Sequence, residues 1–258
     1  MSSFVAPRDL VKEGPRTPRM PLRGLFVQPL AILVILVGFA VWLFVAPLSP
    51  AEQTTLAPAI LWQFTLQHLS LTFVAALIVL GIALPLGVLL TRRRFRPISG
   101  AVLAIANIGQ AAPAIGLVVL LAIFVTSGYW ASIIALVLYA ALPVLRNTML
   151  GVRGVDARLV EAGRGMGMST TAVLFRVEIP LAVPVILAGI RTALVLLVGT
   201  AALAAFVNGG GLGILIVTGV SLYLYSVLIS GALLIALLAL TIDWIGRVVE
   251  HVARPKGL

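Results

Sequence analysis

Six apolar stretches, each long enough to cross a lipid bilayer as a helix, dominate this sequence. The hydrocarbon core of a bilayer is about 30 Å thick, and a helix needs about 20 apolar residues to cross it. The stretches are Leu25–Val45, Leu69–Leu90, Ile98–Val125, Tyr129–Leu145, Ile179–Val207 and Leu222–Ile242. They make up more than half of the chain and contain a single charged residue, Arg191. We therefore predict an all-α integral membrane protein with six transmembrane helices.

The basic residues predict which side of the membrane each connection faces. Every Lys and Arg except Arg191 lies before the first run, between the second and third, between the fourth and fifth, or after the sixth. Short basic loops stay in the cytoplasm, so both termini are expected there. The net charge of +10 is then mainly a topology signal. It does not indicate a nucleic-acid binder, because the basic residues are separated by runs too apolar for a soluble fold.

The runs divide the chain into a tail, a first helix and a core. Residues 1–24 are rich in Pro and charge and are predicted to be a disordered basic cytoplasmic tail. Residues 25–45 are predicted to form an N-terminal transmembrane helix, retained because no small-residue cleavage site is present. Residues 66–250 are predicted to form a core of five transmembrane helices. In the outer connection Ala46–Gln67, the second half is expected to be a short interfacial helix that leads into the next span.

The longest polar connection, residues 146–178, is predicted to lie in the cytoplasm between the fourth and fifth runs. A helix beginning near Asp156 is expected there, because four apolar residues recur at helical spacing and form a stripe on one face. These residues are Val155, Leu159, Ala162 and Met166. Two interpretations are open: the stripe packs on the protein's own transmembrane helices, or it contacts a partner.

This cytoplasmic helix is predicted to end in a turn and to be followed by a second helix. Three glycines, the last of them Gly167, weaken the first helix because each costs about 1 kcal/mol relative to Ala. Ser169 is suited to cap a short second helix that runs through Val177, since its hydroxyl accepts hydrogen bonds from unpaired backbone N–H groups. Pro180 is expected to open the next span, where its missing N–H is tolerated.

The same connection contains a spaced motif. Its residues are Glu161, Ala162, Gly163, Gly167, Val177, Ile179 and Pro180. This pattern resembles the EAA signature of permease subunits of ATP-binding-cassette importers, EAA-x3-G-x9-I-x-L-P. All fixed points agree in spacing, and the residue type differs only at Gly163, Val177 and Ile179.

Other stretches are similar to the osmoprotectant branch of these permeases, which imports glycine betaine, choline, carnitine and related quaternary amines. They are LPLGVLLTRRR at 84–94, LVLYAALPVLRNT at 136–148, RVEIPLAVPVILAGIRTA at 176–193 and AAFVNGGGLG at 204–213. Methionine-type permeases share the EAA spacing and a GGLG stretch. A permease for another small solute such as methionine is therefore the alternative.

The resemblance implies a type I importer permease in the bacterial cytoplasmic membrane. It implies a dimer with a second copy or a sibling permease, a cytoplasmic ATPase that binds ATP and Mg, and an extracytoplasmic solute-binding protein. The residues implied to couple to the ATPase are Glu161, Ala162, Gly163, Gly167, Met168, Ser169 and Pro180. The chain itself has no P-loop, and its only lysines are Lys12 and Lys256, so we expect no enzymatic activity, cofactor or metal site of its own.

Three polar residues at membrane depth are candidates for the translocation path: Asn107, Gln110 and Asn208. Packing between helices is the alternative role for each of them. An ion-coupled secondary transporter is a competing class, but it ordinarily needs an intramembrane carboxylate, and the acid nearest a span interior is Asp243 at its very end. An intramembrane enzyme would need paired catalytic groups at depth, which the runs do not provide.

Overall fold

Helices are the only regular elements in the described residues, 23–125 and 128–253, of the computed structural model. The predicted basic tail, residues 1–24, lies outside these ranges except for its last two residues. The α-helices are α1 (Arg23–Val45), α2 (Pro50–Thr55), α3 (Pro58–Thr91), α4 (Ser99–Ala111), α5 (Ala114–Phe124), α6 (Tyr129–Arg153), α7 (Ala157–Gly165), α8 (Thr170–Val173), α9 (Ile179–Ala201), α10 (Gly213–Ser221) and α11 (Tyr225–Ala253). The prediction of an all-α protein is confirmed for this part of the chain.

The six apolar runs correspond to five long helical stretches and one bent pair. The five stretches are long and apolar enough to cross a membrane: Phe26–Val45, Pro58–Thr91, Tyr129–Arg153, Thr170–Val207 and Tyr225–Ala253. The third predicted span is the bent pair, in which the helices before and after Pro113 meet at 97°. Ala112 has extended backbone there, because a residue before proline is disfavoured in the helical region.

The connection between α1 and α3 differs from the prediction. Its first half contains the short helix α2, where the Glu52 carboxylate accepts a hydrogen bond from the Ser49 backbone N–H at 2.9 Å. This hydrogen bond lowers the pKa of the Glu52 carboxyl. The second half is not a separate interfacial helix, because α3 runs without a break from Pro58. No Pro or Gly interrupts residues 59–80, so nothing ends the helix before it enters the apolar run.

α6 is the central helix of the bundle and packs between α3 and α9, while α11 lies against α9 and α1 against α11. Small residues bring the central helices close together. A Cβ on Gly87 of α3 would lie 2.8 Å from Thr148 of α6, and one on Gly189 of α9 would overlap Asn147 of α6. Small residues at such positions are typical of helix packing in membranes, where close backbone approach provides the van der Waals contact.

Candidate coupling segment and cavity

α7 and α8 begin where the sequence predicts two short helices between the fourth and fifth runs. The Asp156 carboxylate accepts a hydrogen bond from the Arg158 backbone N–H at 2.9 Å at the start of α7. The Ser169 hydroxyl accepts one from the Ala172 backbone N–H at 3.2 Å at the start of α8. Both predicted starts are confirmed, and the caps satisfy N–H groups that have no partner inside the helix.

α7 ends in a Schellman turn, which confirms the predicted turn near Gly167. The backbone N–H of Met168 donates to the Gly163 carbonyl at 3.1 Å, and the N–H of Gly167 donates to the Arg164 carbonyl at 2.9 Å. Gly167 has φ +81°, a left-handed conformation that glycine adopts without steric cost. The angle between α7 and α8 is therefore set by a turn with a defined hydrogen-bond pattern.

The second short helix does not end before the next span as predicted. α8 continues through a π-helical turn at Leu174–Glu178 into α9, so that Thr170–Val207 is one helical stretch. Pro180 lies in the first turn of α9, as expected. The π turn explains the continuity, because its wider spacing relieves the conflict between a proline ring and the carbonyl four residues earlier.

The structure gathers most of the predicted coupling residues in this helix–turn–helix, and Pro180 follows at the start of α9. In α7 and the turn lie Glu161, Ala162, Gly163, Gly167, Met168 and Ser169. Glu161 is exposed, and among the described residues none forms an ion pair or hydrogen bond with its carboxylate. All of these residues except the buried Gly163 lie at least partly on the surface, at one end of the bundle.

The apolar stripe of α7 is exposed. Leu159 is 47% exposed and Met166 is 73% exposed, while Ala162 between them is also exposed and only Val155 is half-buried. The interpretation that the stripe packs on the transmembrane helices is therefore wrong for its three exposed members. We call Leu159, Ala162 and Met166 the α7 apolar face.

The other side of α7 packs against α8 and the π turn through Gly163. A Cβ at this position would lie 3.4 Å from Val173, 3.5 Å from Met168 and 3.7 Å from Val177, which are ordinary contact distances. The Ala that the EAA signature has here therefore fits without a clash. Gly163 is buried, so α7 lies against the helix that leads into α9 at this position, without the contacts that a Cβ would add.

We expect Gly167→Ala to loosen the turn after α7, while the matched change Gly165→Ala is tolerated. At neither position would a Cβ meet another atom within 4 Å, so space does not distinguish them. The left-handed backbone at Gly167 makes a Cβ cost about 1–2 kcal/mol, whereas Ala is favoured over Gly inside α7 by about 1 kcal/mol. Amide hydrogen exchange over residues 157–173 should become faster only in Gly167→Ala, and equal exchange in the two variants would contradict this account.

A charge pair between the half-buried Arg92 and the buried Glu178 joins the end of this segment to α3. Both oxygens of the Glu178 carboxylate accept hydrogen bonds from the Arg92 guanidinium, one from Nη1 at 3.3 Å and the other from Nη2. Glu178 is only 7% exposed. Nothing in the local sequence indicates this contact, because the two residues are 86 positions apart. The sequence contains one weak indication of the pair. Glu178 directly precedes one transmembrane helix, and a run of arginines that begins at Arg92 directly follows another.

Arg191, the charged residue of the fifth run, pairs with α11. Its Nη1 lies 3.2 Å from Glu250 Oε2, and its Nε lies 3.7 Å from Asp243 Oδ1. Arg247 donates to the same Asp243 carboxylate from Nε at 2.9 Å. The described part of the chain contains no group of three or more His, Cys, Asp or Glu side chains placed to hold a metal ion. The ion pairs of Arg191 with Asp243 and Glu250 join α9 to α11.

The glycine run after α9 lies at the opposite end of the bundle and packs against α3. The backbone N–H of Gly211 donates to Gln67 Oε1 at 3.0 Å, and the neighbouring His68 is fully buried with its Nε2 at 2.9 Å from the Val198 carbonyl oxygen. A cavity of about 360 Å³ opens beside this contact. It is lined by uncharged residues that include Phe64, Gln67, Asn208 and Thr218.

The structure does not bring the three predicted path residues together. Asn107 is exposed and Gln110 half-buried on α4, whose Gly109 packs against Leu138 of α6. Asn208 lies in the cavity and its backbone is near Gly128, at the start of α6. Ten residues of α6 separate these two contacts, which corresponds to about 15 Å along a helix. The α4 pair and Asn208 therefore lie at different depths.

Comparison with known protein sequences places the chain among transport proteins. The family described as binding-protein-dependent transport system inner membrane component matches residues 83–254. The glycine betaine/carnitine/choline transport system permease protein OpuCB of Bacillus subtilis (strain 168) is 41% identical over 192 residues, covering 74% of this chain and 88% of that protein. The osmoprotectant import permease protein OsmW of Salmonella typhimurium is 40% identical over 198 residues, covering 75% of this chain and 92% of that protein.

Solved structures of transporter subunits have the same fold. A chain of the MetNI methionine ABC transporter in an inward-facing conformation superposes with a TM-score of 0.65 at 26% identity, covering 78% of this chain and 100% of that chain. A chain of an amino acid ABC transporter superposes with a TM-score of 0.66 at 18% identity, covering 79% of this chain and 98% of that chain. Because the identity to the amino acid transporter chain is only 18%, this superposition shows a shared fold and nothing about function.

Proposed function

The chain belongs to the family of binding-protein-dependent transport system inner membrane components, and we propose that it is the permease subunit of an importer for quaternary-amine osmoprotectants such as glycine betaine or choline. In this proposal a cytoplasmic ATPase binds and hydrolyses ATP with Mg, and this chain converts the resulting movement into solute passage. An extracytoplasmic binding protein delivers the solute. A second copy of the chain, or a sibling permease, completes the pathway.

The observation that carries this proposal is the exposed α7 apolar face. Burying one large apolar side chain contributes about 1.5–3 kcal/mol, so Leu159 and Met166 together provide a substantial docking energy. The Schellman turn and the packing of Gly163 hold α7 in place before any partner binds, which lowers the entropic cost of association. The free carboxylate of Glu161 adds a contact for a basic residue of the ATPase.

The charge distribution supports the orientation that this function needs. With both termini in the cytoplasm, α7 faces the ATPase and the cavity beside Asn208 faces the binding protein. Closure of two ATPases would then shift the permease between inward-open and outward-open states, which is a population shift driven by nucleotide. Asn208 lies at the outer end of the path, and Asn107 and Gln110 lie deeper within it.

Because its lining has no charged residue, the cavity is compatible with a solute that has no net charge or has one delocalised positive charge. Phe64 offers an aromatic face to a quaternary ammonium group, and the amides of Gln67 and Asn208 offer hydrogen bonds to a carboxylate. Methionine is the second candidate solute because of the structural likeness to a methionine transporter. The higher identity to permeases named for glycine betaine, carnitine and choline favours the osmoprotectants.

Two measurements test the proposal separately. Purification of the permease in mild detergent should recover a bound ATPase, and failure to recover one would contradict the assignment of a partner.

Titration of the cognate binding protein by calorimetry should give binding of glycine betaine or choline and none of methionine. Binding of methionine alone would replace the proposed solute while leaving the role of the permease intact.

A further inference from the structure

The ends of α3, α6 and α9 on the α7 side of the bundle are joined by buried and half-buried polar contacts. Glu178 ends the π turn that leads into α9 and is held by both terminal nitrogens of Arg92, which follows α3. Arg153 at the end of α6 donates from Nη2 to the Leu90 carbonyl of α3 at 3.1 Å and to the Ser99 hydroxyl at 3.4 Å. We call Arg92, Arg153 and Glu178 the cytoplasmic clamp.

The clamp is connected to α7 by direct packing. α7 rests on Val173 and Val177 at the position of Gly163. Val177 and Glu178 belong to the same π turn, so the residue that α7 packs against and the residue that binds Arg92 are neighbours. Because a bidentate arginine–carboxylate pair fixes orientation as well as distance, the pair links this turn to the end of α3 at Arg92.

A role in stability alone does not account for this arrangement. A buried ion pair contributes little net stability because the cost of removing its charges from water offsets their attraction. The pair does connect two distant parts of the chain in a fixed orientation. It joins the helix–turn–helix that contains α7 and α8 to the end of α3, 86 residues earlier. α3 also carries Gln67 near its other end, in the wall of the cavity.

We propose that Arg92 and Glu178 are positioning residues that transmit the movement of the ATPase from α7 to α3. The proposal rests on the proposed function and adds the route by which α3 moves with α9. When the link is broken, α7 still docks through its apolar face and the ATPase still hydrolyses ATP. The end of α3 then no longer follows, and hydrolysis becomes uncoupled from solute passage.

The test uses the complete importer, with ATPase and binding protein, reconstituted in lipid vesicles. The variants are Glu178→Gln, Arg92→Gln and the charge exchange Arg92→Glu with Glu178→Arg, and the measured quantity is solute transported per ATP hydrolysed. Each single variant should lower this ratio about tenfold or more, because an amide cannot form the two-pronged charge pair and leaves the remaining charge uncompensated. The charge exchange should recover most of the lost coupling. Arg93→Gln, an exposed arginine of the same run, is the matched control and should keep the wild-type ratio.

Binding of the ATPase to each variant in detergent distinguishes coupling from docking. Normal ATPase binding with a reduced transport ratio supports the proposal. A wild-type ratio in both single variants would overturn it, and so would loss of ATPase binding in them, since the pair would then act on docking. If the single variants fail to fold, the charge exchange decides: a folded protein that remains uncoupled contradicts the proposal. Failure of the wild-type chain to bind an ATPase contradicts the proposed function itself.

Discussion

Replacing Leu159 and Met166 together by Asp is expected to abolish ATPase binding and ATP-driven uptake while the membrane helices stay folded. Each lost apolar contact is worth about 1.5–3 kcal/mol, so the pair corresponds to a loss of about 10²- to 10⁴-fold in affinity. The new carboxylates add a desolvation penalty if they are forced into the interface. The fold is spared because both side chains are exposed in the permease.

The measurement is the affinity of the purified ATPase for the detergent-solubilised permease. Val252→Asp is the matched control, because it places the same charge at an exposed apolar side chain on a different helix, near the end of α11. The control should bind the ATPase with wild-type affinity. A double variant that keeps its affinity within about threefold, a difference of less than 1 kcal/mol, would show that the α7 apolar face is not the docking surface.

Gly213→Ala is expected to have the largest effect on folding. A Cβ at this position would lie 2.7 Å from the carbonyl carbon of Ala202 and closer still to its oxygen. Neither atom is the end of a flexible side chain, so the clash can be relieved only by moving the backbone at Ala202 or at Gly213. Overpacking typically costs 1–3 kcal/mol, and a backbone clash of this kind should cost about 3 kcal/mol or more.

Thermal unfolding of the purified permease in detergent tests this expectation. Gly199→Ala is the control on α9, where an added Cβ would have no atom within 4 Å. It should leave the melting temperature unchanged or raise it slightly, because Ala is the better helix former by about 1 kcal/mol. Gly213→Ala should lower the melting temperature or prevent recovery of folded protein. Equal melting temperatures for the two variants would contradict the close contact between Gly213 and Ala202.

The features that depend on local sequence were predictable. The apolar runs define the long helices, and the caps at Asp156 and Ser169 and the turn at Gly167 follow from neighbouring residues. Each of these is decided by hydrogen bonds or backbone conformations within a few positions in the chain. The EAA-like motif marks the segment between α6 and α9 in a different way, through its resemblance to a family signature.

The features that depend on tertiary contacts were not predictable. Pro113 marks a break in the third run, but the 97° bend also depends on how α4 and α5 pack along α6. The spacing of the α7 stripe is the same whether it is buried or exposed, so its exposure becomes known only from the fold. The pairing of Arg92 with Glu178 joins residues 86 positions apart, and neither position has a neighbour that indicates the other.

The decisive measurement is uptake into lipid vesicles that contain the purified permease and its ATPase. With ATP on the side of the ATPase and loaded binding protein on the opposite side, glycine betaine or choline should be taken up. Omitting the ATP, the ATPase or the binding protein should stop it. Uptake that persists without the ATPase, or that is driven by an ion gradient alone, would contradict the claim that this chain is a permease powered through α7 by a partner.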